Sequence, residues 1–585
     1  MAKGISIIGS GIICAVGTDK KSVLEALRDK KTGIGTMRYL SSVHKELPVG
    51  EVKLSNDKLK SFLGIVSDND ISRTTLLGAY ALRQAIEDSG ITKEYMNKKR
   101  ITFISGTTVG GMDVTERNYH RMLNGETEAL SYVLQHDCGS NTEAIAKLCG
   151  LDCESTTLST ACSSSLNAII LGVRMLLANE TDIVFAGGTE ALSVFHLNGF
   201  NSLMILDKEQ CRPFDVTRQG LNLGEGAAYV VLERSSDSKQ RNARIEGYIG
   251  GYGNYCDAFH QTATSPEGDG AYLAMRDALN MAEVPITSVD YINAHGTGTP
   301  NNDQSESAAL RRLFGEHIPP VSSTKSYTGH TTSASGSIET VISLIAMHND
   351  FIPVNLSWKK QSEDCIVPYM DDGNRQLHYV LCNSFGFGGN DSSLLLSDKE
   401  ILLHDIGNKT YNIVSECEID SVDELKEIKR YVSPMEARRM GNIIKAAFLS
   451  SMRAMEMAEI EKPDAIVIAT RFGMLGNGEE ILNSLRLSEE CISPTQFMQS
   501  THNTLAGSLA IKLKCHGYNI TYSHGEDSWY WAIRDAKKLL SEGLARTVLV
   551  GIHDEAPEIF RSFYERLGLP LPTEIYSKSI IIKAS

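Results

Sequence analysis

A chain of 585 residues, 42% hydrophobic and 22% charged, has material for several globular domains with sizeable cores. Its 57 Lys and Arg against 72 Asp and Glu leave a net charge of −15, which argues against general nucleic-acid binding and against adhesion to an anionic membrane surface. No run approaches the roughly 18 apolar residues of a bilayer span. The N-terminal MAKGISIIGSGIICAVG is too short in its apolar part and too glycine-rich for a signal peptide, so a cytoplasmic protein is expected.

Short apolar runs alternate with longer amphipathic stretches, the pattern of an α/β protein. In chain order, ISIIG (5–9), RITFIS (100–105), DIVFAGG (182–188), AAYVVLE (227–233), DYINAHG (290–296) and HYVLCNSFG (378–386) read as buried strands. Apolar residues at helical spacing predict helices over 71–90 and 163–180, the second opening on a run of serines that suits a helix N-terminus. The pattern weakens near 396–410, where a domain boundary is placed. The 12 cysteines form no CxxC pair and no zinc-spaced set, and no HExxH, phosphate loop or EF-hand occurs. Free thiols in a reducing compartment and no metal are the expectation.

An internal repeat is visible. TLSTACSSSLNAI (157–169) lies on TYSHGEDSWYWAI (521–533) at a constant offset of 364. Thr157, Ser159, Ala168 and Ile169 meet Thr521, Ser523, Ala532 and Ile533, and Gly187 meets Gly551. Upstream, 434–460 has the helical character of 71–90, and DAIVIATRFG (464–473) echoes ITFISGTTVG (101–110). The stretch 405–585 therefore reads as a second copy of the first part of the chain.

Four segments carry chemistry. STACSSS (159–165) sets Cys162 at the head of a helix after a strand, where the helix dipole and free N–H groups lower a thiol pKa. NAHGTGTPNNDQSE (293–306) places His295 at a strand end, and SSTKSYTGHTTSASG (322–336) places Lys325 and His330 five residues apart. NSFGFGGND (383–391) is a glycine-rich loop whose backbone N–H groups suit a developing oxyanion.

With FAGGTEA (185–191) and CRPFDVTRQGLNLGEGAAYVVLE (211–233), these motifs make residues 1–398 resemble the β-ketoacyl synthase family, the condensing enzymes of fatty-acid and polyketide synthesis. The resemblance implies a thiolase-like layered α/β/α/β/α fold in two halves, 1–240 and 241–398. It implies decarboxylative Claisen condensation of an acyl thioester with malonyl-carrier protein. Cys162 matches the acyl-accepting nucleophile, His295 and His330 the pair that drives decarboxylation, and Lys325 an electrostatic organiser. The N–H groups of Cys162 and Phe387 match the oxyanion hole, with Phe385 and Phe387 at the acyl entrance. Glu225, Gly388 and Gly389 match structural positions near the site. No cofactor is implied beyond the phosphopantetheine arm of an acyl-carrier protein, and a homodimer or a heterodimer with another ketosynthase-like subunit is implied as the assembly. Ser333, where the family commonly has Gly, and the Asn390-Asp391 pair depart from the usual pattern.

On the 364 offset Cys162 falls on Glu526, and a carboxylate forms no stable thioester. The unit 405–585 resembles a chain-length-factor-like half-domain, expected to dock on the synthase as a pseudo-subunit or a peripheral scaffold and to affect assembly or product length. His524, Glu526 and Asp527 read either as an active cluster of their own or as a satisfied polar turn at a helix start, and Trp529, Tyr530 and Trp531 as residues that pack against a neighbour or line a partner interface. Two other readings remain open: a non-catalytic partner of a separate synthase, and a thiolase-like enzyme acting on coenzyme A esters.

Overall fold

The computed structural model describes residues 3–66, 70–371, 373–404, 406–407, 409–490 and 492–584. Cys491 and positions 405 and 585, the expected limits of the third unit, lie outside them; the described cysteines are all free thiols.

Among the described residues the strands fall into three sets of five. The first holds β1 (Ile5–Cys14), β2 (Ile101–Gly106), β3 (Glu154–Leu158), β4 (Ile183–Glu190) and β5 (Gly226–Arg234). The second holds β6 (Gly247–Cys256), β7 (Tyr291–Asn293), β8 (Val321–Ser322), β9 (Tyr379–Gly386) and β10 (Asn390–Ser397). The third holds β11 (Tyr411–Ile419), β12 (Ala465–Ala469), β13 (Asn519–Tyr522), β14 (Thr547–Glu555) and β15 (Ile575–Ala584). The continuous order is β11-β15-β14-β12-β13-β3-β2-β4-β5-β1-β6-β10-β9-β7-β8. Within each set the order is the same: third, second, fourth, fifth, first strand. The chain is three copies of one half-fold.

Helices fix the layers. The helix α1 (Arg73–Asp88) covers the outer face of the first set, and α3 (Asp269–Ala282) that of the second. Between the two sets lie α2 (Ser164–Leu177) and α4 (Ser335–His348), giving the α/β/α/β/α stack. A helix covered by strands on both sides has no solvent face, and every residue of α2 is buried. In the third copy, α5 (Asn442–Met457) and α6 (Ser528–Glu542) flank a single set of strands. The stretch 434–460 is not one helix: Met440 and Gly441 take extended ψ values of 130° and 162° and separate a short helix at Pro434–Arg439 from α5. The helix α6 stands where α2 does, but only one side is covered, and Tyr530 is 53% exposed on the other.

The first and third copies meet edge to edge. Leu158 of β3 lies antiparallel to Tyr522 of β13. Ser159 N–H donates to Thr521 C=O at 3.0 Å, and Ser523 N–H donates to Thr157 C=O at 2.9 Å. These two bonds are equivalents of each other, because each residue of one is related to a residue of the other by the 364 offset. The same relation joins Tyr119 to Asn483 (3.2 Å) and Cys138 to His502 (3.9 Å), all of them on a pseudo-two-fold axis. The β3 edge of the first copy is covered by the chain's own third copy.

Candidate active site

Cys162 sits in the tight turn Ala161–Ser163 between β3 and α2. Ala161 holds φ at 51°, a left-handed conformation that costs a non-glycine residue energy and turns the next side chain inward. The Cys162 sulfur lies 3.1 Å from His330 Nε2. His330 follows the turn Lys325–Thr328 and is tied by its backbone to Asn222 C=O (2.7 Å) and Gly224 N–H (2.9 Å). Its Nδ1 meets Ser335 Oγ at 3.0 Å. His295 follows β7, its ring edge-on to that of His330 at 5.3 Å between centroids. Its N–H and that of Gly296 donate to the two oxygens of Glu306, at 2.9 and 2.8 Å. Lys325 is buried and paired with Glu339 at 2.5 Å.

The fourth segment turns between β9 and β10. Gly388 and Gly389 hold φ values of 81° and 78°, which side chains disfavour, and the turn brings the Phe387 N–H to the side of the Cys162 sulfur, where it and the N–H of Cys162 itself favour the thiolate. Phe385 and Phe387, with Cys162 and both histidines, line a mostly apolar cavity of about 320 Å³.

Burial dominates the electrostatics. It pushes the Cys162 thiol up to about 11, against the Lys325 charge and the two N–H groups, so the lowered pKa expected at a helix head is not what this site holds at rest. Burial, then the Lys325 charge, hold both His330 and His295 well below the usual imidazole value, so both rings are neutral. Burial also raises Glu339 and Glu306, each to about 7. Among the described residues, Cys162, His295 and His330 are the set whose donor atoms, all within 4.8 Å of one another, are close enough to share a metal ion.

The structure brings Cys162, His295, His330, Lys325, Phe385, Phe387, Gly388 and Gly389 together. Glu225 does not join them. Its carboxylate binds Arg73 (2.6 Å) and the N–H groups of Val52 and Leu192, facing a different cavity. In the third copy, His524 contacts Thr157 and Glu143 while Glu526 pairs with Arg471 near the surface, so those residues form no cluster. Sequence reading missed Glu306, Glu339, Ser335 and Asn503. Glu339 left a signal, since a lone acid in the apolar helix α4 has to be paired.

Family profiles described as "Beta-ketoacyl synthase, N-terminal domain" match residues 2–238 and, separately, 416–579; one described as "Beta-ketoacyl synthase, C-terminal domain" matches 247–359. The chain is 33% identical over 410 residues to the 3-oxoacyl-[acyl-carrier-protein] synthase 2 of Coxiella burnetii (strain RSA 493 / Nine Mile phase I), covering 67% of this chain and 98% of that protein. It is 31% identical over 405 residues to nodulation protein E of Rhizobium meliloti (strain 1021), covering 67% and 99%. Among solved structures, the ishigamide ketosynthase/chain length factor superposes with a TM-score of 0.64 at 29% identity, over 68% of this chain and 100% of that one. The PfaC keto synthase-chain length factor covers 100% of this chain and 78% of its own, with a TM-score of 0.80; at 17% identity that likeness is one of fold.

Proposed function

The chain belongs to the β-ketoacyl synthase family, and on that premise we propose that it is a β-ketoacyl-[acyl-carrier-protein] synthase. It acts in the cytoplasm, without a resident cofactor, on acyl groups delivered by the phosphopantetheine arm of a carrier protein. Cys162, as thiolate, attacks the acyl thioester; the N–H groups of Cys162 and Phe387 hold the tetrahedral oxyanion, and the carrier thiol leaves with a proton. Malonyl-carrier then enters. Neutral His295 and His330 donate hydrogen bonds to its thioester oxygen as carbon dioxide departs and an enolate forms. The enolate carbon attacks the acyl-Cys162 carbonyl, and the tetrahedral intermediate collapses with release of the Cys162 sulfur. Lys325, paired with Glu339, keeps positive charge beside the sulfur.

The observation that carries this reading is the convergence on one sulfur, in an apolar cavity, of an imidazole at 3.1 Å and two backbone N–H groups. It also disfavours the non-catalytic reading. We divide the chain at 1–240, 241–398 and 405–585, with condensation confined to the first two units, since Glu526 occupies the nucleophile position in the third.

Mass spectrometry after incubation with acyl-carrier proteins tests it. Cys162→Ala abolishes mass addition without unfolding; Cys162→Gln retains malonyl decarboxylation; His295→Ala accepts acyl groups but releases no carbon dioxide. Acylation that persists in Cys162→Ala, or near wild-type condensation in His295→Ala, refutes the assignment.

A further inference from the structure

The role just given to the Phe387 N–H depends on how firmly its loop is held. A preorganised donor stabilises an oxyanion only where its direction is fixed before reaction. Phe387 is followed by two left-handed glycines, Gly388 and Gly389, which have no side chains to anchor the turn. Two of the bonds that hold it come from the second copy: Gly388 N–H donates to Gln261 C=O at 2.7 Å, and Asp257 N–H donates to Gly389 C=O at 2.8 Å. The Phe387 carbonyl itself is held from elsewhere. It accepts from Asn503 Nδ2 at 2.8 Å, and the same amide donates to Asn390 Oδ1 at 2.8 Å.

Asn503 belongs to the third copy, outside the two that carry the nucleophile and the histidines. It is fully buried. It stands at the N-terminus of the helix Thr504–Leu513, where an Asn side chain ordinarily caps the first turn, yet it makes no capping bond. The amide is turned away from its own helix and toward the loop. Gly507, one turn along, packs directly on Gly388; a Cβ added at Gly388 would stand 2.8 Å from Asn503 Nδ2. On the other side of Phe387, its ring stacks on Phe200 at 5.8 Å, and Phe200 rests edge-on against Phe497 of the third copy at 5.3 Å. The contact is also asymmetric about the pseudo-two-fold axis. Across the 364 offset Asn503 corresponds to Gly139, which packs against the inactive turn at His524 and Gly525. The amide occurs on the side that faces the working sulfur.

We propose that Asn503 is a positioning residue for the condensation: from the third copy it fixes the Phe387 peptide so that the Phe387 N–H faces the oxyanion, and the active site is incomplete without it. The inference rests on the proposed role of Cys162. It gives the carboxy-terminal copy a part in acyl transfer although that copy has no nucleophile of its own.

Asn503→Asp in the full-length chain keeps the side-chain volume and replaces the donor with an acceptor facing the Phe387 carbonyl. Asn503→Ala is the second variant, and thermal melting checks that both fold. The expected result is acylation of Cys162 about 10- to 100-fold slower, somewhat less than the loss on deleting an oxyanion donor outright. Malonyl decarboxylation, measured in the Cys162→Gln background, stays within about twofold, because it uses the imidazoles rather than the Phe387 N–H. Hydrogen–deuterium exchange in the peptide spanning 383–391 rises. Folded variants that acylate at the wild-type rate overturn the proposal. So does a parallel loss of acylation and decarboxylation, which marks a general collapse. If the wild-type chain takes no acyl group, the enzymatic reading fails by itself, and the exchange measurement still decides: unchanged exchange at 383–391 in both variants means that Asn503 does not hold the loop.

Discussion

Cys162 stands where two physical effects oppose each other. The head of α2 favours a thiolate, while removal from water favours the neutral thiol, and removal from water wins by pushing the thiol up to about 11. For a group with so high a pKa, the reactive thiolate fraction rises about tenfold with each pH unit below that value. Alkylation of Cys162 by iodoacetamide, followed by peptide mass spectrometry, is therefore expected to accelerate steadily from about pH 7 to about pH 9. No break is expected near the ordinary histidine pKa, since His295 and His330 are already neutral there. A plateau reached below pH 8 would show that the helix head outweighs burial. The site's principal residues were legible in the sequence because each sits in a short motif at a strand end. The pairings that support them were not. Glu339 comes from a helix 14 residues beyond Lys325, and Asn503 reaches Phe387 across 116 residues of chain, so no local pattern joins them.

At the scale of elements, α2 and α6 show how burial edits a repeated helix. The helix α2 lies between two sheets and is buried throughout, whereas α6 keeps a solvent face because no fourth set of strands follows within the described residues. The two helices are latched by Arg174 of α2, fully buried, which reaches Asp535 at 2.6 Å and Glu542 at 2.8 Å on α6, with Tyr518 Oη at 2.8 Å. Lys538, its counterpart across the 364 offset, pairs with Glu180 of the first copy. A charge this deep needs every partner. Asp535→Ala is expected to destabilise the fold by about 3–5 kcal/mol, because it leaves the guanidinium short of a counter-charge rather than merely deleting a contact. Urea unfolding measures this, and a loss below about 1 kcal/mol would mean that water reaches Arg174 and screens it. In the sequence, Arg174 reads only as one polar residue in an apolar helix; its partner is 361 residues away. The misread at 434–460 has a local cause, since apolar spacing continues through Met440 and Gly441 while the backbone does not.

At the scale of the molecule, one strand order appears three times, and the third appearance closes the edge of the first. The offset of 364 was legible from a few identities around the Cys162 turn, and it identifies the residues that meet on the pseudo-two-fold axis. That the repeat pairs with its own template through β3 and β13 is a property of assembled sheets, which neither copy's sequence encodes alone. Deleting 405–585 should consequently do more than remove a bystander. It bares the β3 edge, strips Arg174 of Asp535 and Glu542, and frees the Phe387 carbonyl from Asn503. An uncovered edge strand beside a buried apolar surface recruits another chain. The truncated protein is expected to self-associate, as a dimer through β3 or as larger aggregates, and to lose acylation of Cys162. Glu526→Gln in the intact chain, by contrast, touches an exposed carboxylate paired with Arg471 and should leave both assembly and condensation unchanged. Chromatography with light scattering, run beside the acylation assay on both proteins, separates the cases. A truncated chain that stays monomeric and acylates normally would show that the third copy serves neither the sheet edge nor the site.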